Sequence, residues 1–531
     1  MPTSLVIRGG TVFDGTGAPG RLADVAIDGD RIVAIGSIPA DSGARELDAT
    51  GLAVAPGFIN ILSHAYASLQ LQPRGQSDLL QGVTTEIFGE AVSLGPTSPT
   101  QASLIEARGL PEGVVMDFPR LSDGLSHLET IGVAPNVASF VGGHNLRMLG
   151  AGLGDEPMDK AALDLVRGVL DEEMADGALG LGTALIYPPG CFASCDELVA
   201  LSEVMARHDG LYISHMRSEG DQFLECLDEL IDIGRRAEVR TEVWHFKAAG
   251  RANWPKMRLA IDRIDAARAA GQSVGANMYP YVAGGTALQS SIPPSYHVGG
   301  PAALAQRLAE PAERKRMAAD IRQASDEWEN LFLASGGGQG VMLAADLKDG
   351  TKTDGRRLSD VAAELGMDEV DALLELVSRD SSVGALYFII GEDNVQLGLQ
   401  QPWVSIGSDA PAMAVPPQPA ESTHPRVYGT FARILGHYSR DLGLMPLAEA
   451  IRRMTSLPAD TLRLRDRGRI VEGAFADLVV LDAATVADTA TFERPHSYAT
   501  GVSHVVVNGE PVVVAGEFTD ALPGRRLRRG V

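Results

Sequence analysis

Three residues that can bind a metal ion or move a proton each follow a short apolar run. His215 follows GLYIS, His245 follows TEVW, and Asp409 follows VSIGS. Neutral imidazole is the usual nitrogen ligand of zinc, and a carboxylate beside a metal ion can take a proton from water. Either histidine alone is better explained as a hydrogen-bonded core residue. All three, each at the end of a predicted strand, indicate one metal-assisted hydrolytic site.

A further histidine closes the run PGFINILSH, Pro56 to His64. The Pro-Gly pair is typical of the start of a strand, and the apolar residues that follow predict a buried one. His64 is then expected where this strand emerges, beside the other candidate ligands.

The middle of the chain alternates strand and helix patterns. Helical periodicity is found in CDELVALSEVMARH and EGDQFLECLDELIDIGRRA, and such alternation predicts parallel βα units. A count of eight candidate strands predicts an α/β fold, a (β/α)8 TIM-like barrel, whose strand ends meet at one mouth. The strands are predicted to end at His64, Glu90, His144, Thr183, His215, His245, Tyr279 and Asp409.

Both ends of the chain are rich in β-branched residues. Asp28-Gly29 and Asn508-Gly509 are hairpin turn signals. We therefore predict a small β-sandwich formed by residues 1–55 together with 470–531, and a barrel over residues 56–469.

The connection between the seventh and eighth strands is much longer than an ordinary βα unit. It contains two helical stretches, PAALAQRLAEPAERKRMAADIRQ and LSDVAAELGMDEVDALLELVSRD. We expect an insertion around residues 286–345 to be a lid over the site. The stretch PAMAVPPQPA, Pro411 to Ala420, predicts an irregular loop.

The bulk composition limits the classes of partner. The chain has 531 residues and a formal net charge of −24, which argues against nucleic acid and anionic membranes as partners. Three cysteines do not suggest a disulfide framework, and no signal peptide or membrane-spanning run is evident. We expect a cytoplasmic enzyme with a small-molecule substrate, and homo-oligomerisation stays open.

Ten stretches occur in an order that is typical of one family. They are APGFIN, GVTTEIFGE, GALGLGTALIYPPG, ISHMRSE, HFKAAG, YPYVAGGT, IGSDAP, THPRVYGTFARILGHY, RMTSLPA and GAFADLVVLD. In these stretches the chain resembles the N-acyl-D-amino-acid deacylase (D-aminoacylase) branch of the amidohydrolase superfamily. The resemblance implies zinc-dependent hydrolysis of a linear amide in an N-acyl amino acid.

The resemblance implies one tight zinc ion held by a strand-two cysteine and by His215 and His245. Here the Asn-Cys of the family is Glu90-Ala91. Alanine cannot bind a metal ion, but the neighbouring carboxylate can, because two histidines and a glutamate form a known type of zinc site. We favour Glu90 as the third ligand, with a salt-bridging role as the alternative.

A second metal position in this superfamily uses a His-x-His pair on strand one. Leu62 stands at the first position here, so only His64 and Asp409 remain, and we expect this second site to be lost or weak. The strand-four stretch GALGLGTAL has no lysine, which excludes a carboxylated-lysine bridge.

The resemblance also implies that Lys247, Tyr279 and Arg426 bind the substrate carboxylate. The alternative for Arg426 is a surface loop arginine. His144, at the mouth of strand three, and Tyr187, in the YPPG turn, are further candidates for substrate contact, although structural roles explain them equally well.

The predicted reaction is hydrolysis of an N-acyl amino acid, D-configured or dipeptide-like. Asp409 acts as general base towards water and then as general acid towards the leaving amine. Three alternatives stay open: another amide such as an aromatic acyl-amino acid or a xenobiotic, a cyclic amide, and a metal-free binding protein without activity.

Overall fold

The computed structural model describes residues 3–39, 44–108, 110–416 and 423–530. The end of the predicted loop Pro411 to Ala420, from residue 417 onward, lies outside the described residues. The strands are β1 (Leu5–Val12), β2 (Arg21–Asp28), β3 (Arg31–Gly36), β4 (Arg45–Asp48), β5 (Ala53–Pro56), β6 (Phe58–Asn60), β7 (Val83–Phe88), β8 (Asn136–Ser139), β9 (Val141–Gly142), β10 (Gly180–Ala184), β11 (Leu211–His215), β12 (Arg240–Val243), β13 (Val274–Met278), β14 (Gly284–Ala287), β15 (Val341–Leu343), β16 (Gly384–Tyr387), β17 (Val404–Ile406), β18 (Leu478–Leu481), β19 (Val502–Val507), β20 (Glu510–Val514) and β21 (Glu517–Phe518).

The helices pack around these strands. They are α1 (Ser68–Leu71), α2 (Gln76–Leu79), α3 (Pro99–Arg108), α4 (Leu121–Ile131), α5 (Gly143–Ala151), α6 (Lys160–Ala175), α7 (Cys195–Arg207), α8 (Phe223–Ala237), α9 (Lys256–Ala269), α10 (Pro301–Ala309), α11 (Pro311–Ile321), α12 (Leu331–Ala334), α13 (Leu358–Leu365), α14 (Glu369–Arg379), α15 (Glu392–Leu399), α16 (Arg426–Arg433), α17 (Leu447–Met454) and α18 (Ser456–Leu462), with a π-helical segment at Ile434–Asp441 after α16.

Eight parallel strands form the ring that carries the site. β6, β7 and β8 pair in one sheet, and β9, which continues β8, pairs with β10, β11, β12, β13 and β17 in another. The ring closes where a parallel bridge joins Ser63 to Ala410, and the Asp409 amide donates to the Leu62 carbonyl at 2.8 Å. The predicted (β/α)8 barrel is confirmed.

Strands from both ends of the chain form one nine-stranded sheet, in the order β21-β20-β19-β18-β5-β1-β2-β3 with β4 on β1. Its halves share an apolar cluster that is separate from the barrel core and includes Ile7, Ile27, Leu478 and Val506. The predicted hairpins at both ends form, and Asn508 and Gly509 adopt the positive φ values, 48° and 82°, of a type I′ turn.

The long connection between β13 and β17 contains both predicted helical stretches, each divided into two helices: α10 with α11, and α13 with α14. It also contains a three-stranded antiparallel sheet, β14-β16-β15, that sequence analysis did not predict. Its strands have only three or four residues, too few to show a clear alternation.

The periodic apolar residues that predicted the helices form the buried faces of those helices. In α8 the buried residues include Phe223, Leu227 and Leu230, which lie on one face, and α7 begins with a capping box between Ser194 and Glu197.

Among the described residues, no helix is both long and apolar enough to cross a membrane.

Candidate active site

A cavity of about 390 Å³ opens at the carboxyl ends of the barrel strands. His215 is the last residue of β11, and the other candidate ligands follow their strands within four residues, so parallel strands deliver them to one edge. All but one of the predicted site residues line this cavity: His64, Glu90, Tyr187, His215, His245, Lys247, Tyr279, Asp409 and Arg426.

Glu90 lies between the two central histidines. Its Oε1 atom is 3.0 Å from His215 Nδ1 and 3.0 Å from His245 Nε2. The donor atoms of the three residues all lie within 4.8 Å of one another, and all three side chains are buried. This is the donor set of a site with two imidazoles and one carboxylate.

The same carboxylate also belongs to a second group of donors. Glu90 Oε2 is 3.2 Å from His64 Nε2, which in turn is 3.0 Å from Asp409 Oδ1. The Leu62 side chain is buried in an apolar cluster, and the Leu62 carbonyl accepts a hydrogen bond from the Asp409 amide. The loss of a histidine at position 62 therefore leaves three candidate donors together, His64, Glu90 and Asp409, rather than two.

Burial alone would raise the pKa of every carboxyl group here, because charge is costly away from water. Against burial, the charge on His245 and hydrogen bonds from the surrounding histidines hold the pKa of Glu90 well below its usual value. Burial also opposes ionisation of Glu219, but the Lys247 and His245 charges lower its pKa to about 2. The site is therefore built around ionised carboxylates that require positive charge beside them.

Burial and the neighbouring carboxylates also change the pKa values of the histidines. Burial lowers the pKa of each ring, but contacts with carboxylates raise the pKa of His64 and of His245 to about 9. For His215 burial dominates and its pKa is lowered. A divalent cation would replace the protons on these rings beside the same ionised oxygens, because imidazole binds a metal ion only in its neutral form.

Glu219 is a site residue that sequence analysis missed. Its Oε1 lies 2.9 Å from His245 Nδ1, and its carboxylate is 2.7 Å from Lys247 Nζ. A carboxylate behind a ligating histidine fixes the tautomer and the orientation of the ring. The available signal was its position four residues after His215 in the run HMRSE.

The predicted carboxylate-binding residues converge on one side of the cavity. The Tyr279 ring contacts both cations, with its centroid 4.7 Å from Arg426 Cζ and 5.6 Å from Lys247 Nζ. Arg426 is only 6% exposed, which excludes a surface role. Its Nη1 atom is 2.6 Å from Asp409 Oδ2, whereas its buried Nε has no hydrogen-bond partner within the described part of the chain.

His144 lies apart from the other predicted residues. It lines a neighbouring cavity of about 340 Å³, and its Nε2 is 3.2 Å from the Ala184 carbonyl. Tyr187 lines both cavities, and its hydroxyl donates to Thr286 in the insertion at 2.9 Å. The geometry therefore favours a structural role for His144 and a place at the wall of the site for Tyr187.

A closed (β/α)8 barrel with imidazoles and carboxylates grouped at its mouth defines a metal-dependent hydrolase of the amidohydrolase class. The Amidohydrolase family model matches residues 319–513. D-aminoacylase from Alcaligenes xylosoxydans xylosoxydans is 36% identical over 538 residues, covering 100% of this chain and 98% of the relative. N-acyl-D-glutamate deacylase from the same organism is 35% identical, covering 99% and 96%.

Solved structures agree over the whole chain. A D-aminoacylase crystal structure has a TM-score of 0.83 at 36% identity and covers 99% of this chain and 100% of that chain. N-acyl-D-glutamate deacylase from Bordetella bronchiseptica, solved with zinc and a phosphonate mimic of the tetrahedral intermediate, has a TM-score of 0.82 at 31% identity with the same coverage. The chain belongs to the N-acyl-D-amino-acid deacylase family of amidohydrolases.

Proposed function

We propose that the protein hydrolyses the amide bond of an N-acyl-D-amino acid, releasing a carboxylate and the free amino acid, with zinc as its metal. The observation that carries the proposal is the placement of the Glu90, His215 and His245 donors, Asp409, and two buried cations around one cavity. The full-length relatives, which are named for N-acyl-D-amino-acid substrates, support the same class.

The metal ligands would be Glu90, His215 and His245, with Glu219 orienting the His245 ring. A bound zinc ion would polarise the substrate carbonyl and lower the pKa of an adjacent water molecule. We propose one tight ion in this group, while the His64 group stays a weaker candidate.

Asp409 is the proposed proton carrier. Burial raises its pKa, but the Arg426 charge and a hydrogen bond with His64 outweigh burial, and its pKa lies below the usual value. An ionised Asp409 can accept a proton from the attacking water and return it to the amide nitrogen as the C–N bond breaks. The reaction is balanced, because one water molecule supplies both the hydroxyl of the acid product and the proton on the amine.

Lys247, Tyr279 and Arg426 are proposed to hold the substrate carboxylate. Both cations line the cavity, and the Tyr279 ring contacts both of them, so a carboxylate bound at this wall would face two positive charges. Fixing the carboxylate on this side places the acyl carbonyl towards the metal ligands.

The test is a panel of N-acetyl amino acids in both configurations, with hydantoin and aromatic acyl amides alongside, scored by release of free amine or of the opened ring. We expect turnover of D-configured N-acyl amino acids together with about one equivalent of zinc per chain. Turnover of only hydantoin or only non-amino-acid amides would contradict the proposal, as would a protein that binds no zinc. A cytoplasmic location remains a prediction of the sequence, and homo-oligomerisation stays open.

A further inference from the structure

Two buried asparagine–glutamate pairs lie in the barrel interior beneath the candidate site. Asn277 with Glu242 and Asn60 with Glu86 are at most 2% exposed, and none of the four is among the residues that line the cavity. We propose that each pair is a positioning device, one for His245 and one for Asp409, and this inference rests on the proposed hydrolytic function.

The first pair holds the backbone of His245. This residue has φ = +35°, a left-handed conformation that a non-glycine residue rarely adopts. Its amide donates to Asn277 Oδ1 at 2.9 Å, and Asn277 Nδ2 donates to Glu242 Oε1 at 3.0 Å. The hydrogen bonds connect Glu242 on β12 to Asn277 on the neighbouring β13, and Asn277 to His245, two residues after the end of β12.

The second pair repeats this arrangement at Asp409, which has φ = +52°. The amide of Ser408, the residue before it, donates to Asn60 Oδ1 at 2.9 Å. Asn60 Nδ2 donates to Glu86 Oε2 at 3.0 Å and also lies 2.8 Å from Ser408 Oγ. In both pairs the asparagine accepts a hydrogen bond from a backbone N–H and donates one to a glutamate carboxyl oxygen on an adjacent strand.

Only an amide side chain of this size serves both ends of such a link. Its oxygen must face the backbone N–H and its NH₂ group must face the carboxylate, so the glutamate locks the orientation of the amide. The asparagine oxygen, held in this orientation, then stabilises the strained backbone where His245 or Asp409 follows its strand. Strained non-glycine residues cluster at functional sites and persist only where the surroundings over-determine them.

The consequence for the site is rigidity at the two residues whose placement matters most. His245 presents Nε2 to Glu90, and Asp409 presents Oδ1 to His64, each at 3.0 Å. A displacement of about 1 Å in such groups can reduce a rate by roughly a hundredfold. Loss of the support under a ligand typically weakens metal binding by about 10 to 100-fold.

The test uses variants of nearly constant volume in the first pair. Asn277→Asp removes the amide donor, and it is assayed at about pH 9, because burial raises the pKa of Glu242 to about 7 and only an ionised Glu242 repels the new carboxylate. Glu242→Gln keeps an acceptor for Asn277 and is the matched control. In the double variant Asn277→Asp with Glu242→Gln, the new amide can donate to the new carboxylate, which still accepts from His245. Zinc affinity is measured by competition with a chromophoric chelator, beside kcat, KM and thermal unfolding.

For Asn277→Asp we expect zinc affinity and kcat each to fall at least tenfold, with KM changed less than about threefold. Glu242→Gln should stay within about threefold of the wild type, and the double variant should recover most of the loss. Asn60→Leu, which removes both bonds at nearly constant volume, should lower kcat by a similar factor while zinc affinity stays near the wild-type value, since Asp409 rather than His245 loses its support.

Two results would overturn the inference: a folded Asn277→Asp protein with wild-type zinc affinity and kcat, or a double variant no better than Asn277→Asp. Thermal unfolding shows whether a variant has lost activity because it is less stable. A loss of stability alone would not predict that the double variant recovers zinc affinity and kcat. If no N-acyl amino acid is hydrolysed at all, the proposed function fails, but zinc affinity still decides the role of Asn277.

Discussion

Arg426 Nη1 lies 2.6 Å from Asp409 Oδ2, and both side chains are buried. The cation proposed to bind the substrate carboxylate therefore also pairs with the proposed proton acceptor. Binding and proton transfer share one arginine, so a change at Arg426 should affect both KM and the pH dependence.

We predict that Arg426→Gln raises KM and moves the acidic limb of the pH profile of kcat/KM to higher pH. Burial favours the neutral form of Asp409 and the Arg426 charge opposes it, so removing that charge raises the pKa of Asp409. An arginine neighbour lowers an aspartate pKa by about 1 to 3 units, which sets the expected size of the displacement. The measurement is kcat/KM from about pH 3 to pH 9, since the Asp409 pKa lies below its usual value in the wild type, with Arg426→Lys as the charge-preserving control. An acidic limb that does not move would contradict the pairing.

Asp409→Asn should lose most activity without losing the metal. General acid–base catalysis contributes about 10² to 10⁴-fold, so kcat should fall by roughly that factor. Because the Glu90, His215 and His245 group does not include Asp409, zinc content should stay near that of the wild type. Single-turnover rates and metal analysis of the same preparation check both statements, and an active variant would remove Asp409 from the mechanism.

Glu90→Ala should abolish tight zinc binding. Its two oxygens serve both candidate groups, so one substitution removes a donor from each. We expect a loss of at least tenfold in affinity, measured by chelator competition. The matched control is Glu203→Gln, which changes an exposed carboxylate paired with Arg167 and should leave zinc binding unchanged. Full zinc occupancy in Glu90→Ala would show that Glu90 only forms ion pairs.

The stability of the fold should depend on the ionisation of Glu329. This side chain is buried, and its Oε2 accepts from the Glu219 amide at 2.7 Å. Burial, and after it the negative charge of Glu219, raise the pKa of Glu329 to about 8. Because the unfolded pKa is lower, its neutral form favours the folded state at acidic pH, and this advantage is lost as pH rises through about 8.

Glu329→Gln keeps the acceptor and removes the titration. We expect equal stability of variant and wild type near pH 4.5, and a more stable variant at pH 9, by about 2 to 4 kcal/mol. Chemical denaturation at the two pH values measures the difference. A difference that does not grow between them would show that the carboxyl group is not kept neutral by burial.

Much of the barrel could be predicted because local patterns carry it. The strand β11, for example, is a short run of mostly apolar residues that ends at His215, and helices such as α8 show a clear 3.6-residue period. The sheet of β14, β15 and β16 was missed because strands of three or four residues form through tertiary pairing rather than through pattern.

The candidate ligands could be found because metal chemistry restricts residue types, and strand ends restrict their positions. Glu219 escaped notice because a glutamate near a strand end is most often solvated, and only the folded chain brings it to His245 Nδ1. The support under His245 was equally invisible, since Asn277 is distant from it in sequence and its role depends on a backbone angle.

The sequence by itself determined the barrel, the β-rich ends and the identity of the groups that can do chemistry, because periodicity, turn residues and side-chain type are local properties. Only the tertiary structure decided which of those groups share a partner: Glu90 between three histidines, Arg426 on Asp409, and His144 in the next cavity. Those pairings arise from strand order, ring closure and the direction of each side chain, which depend on residues far apart in the chain.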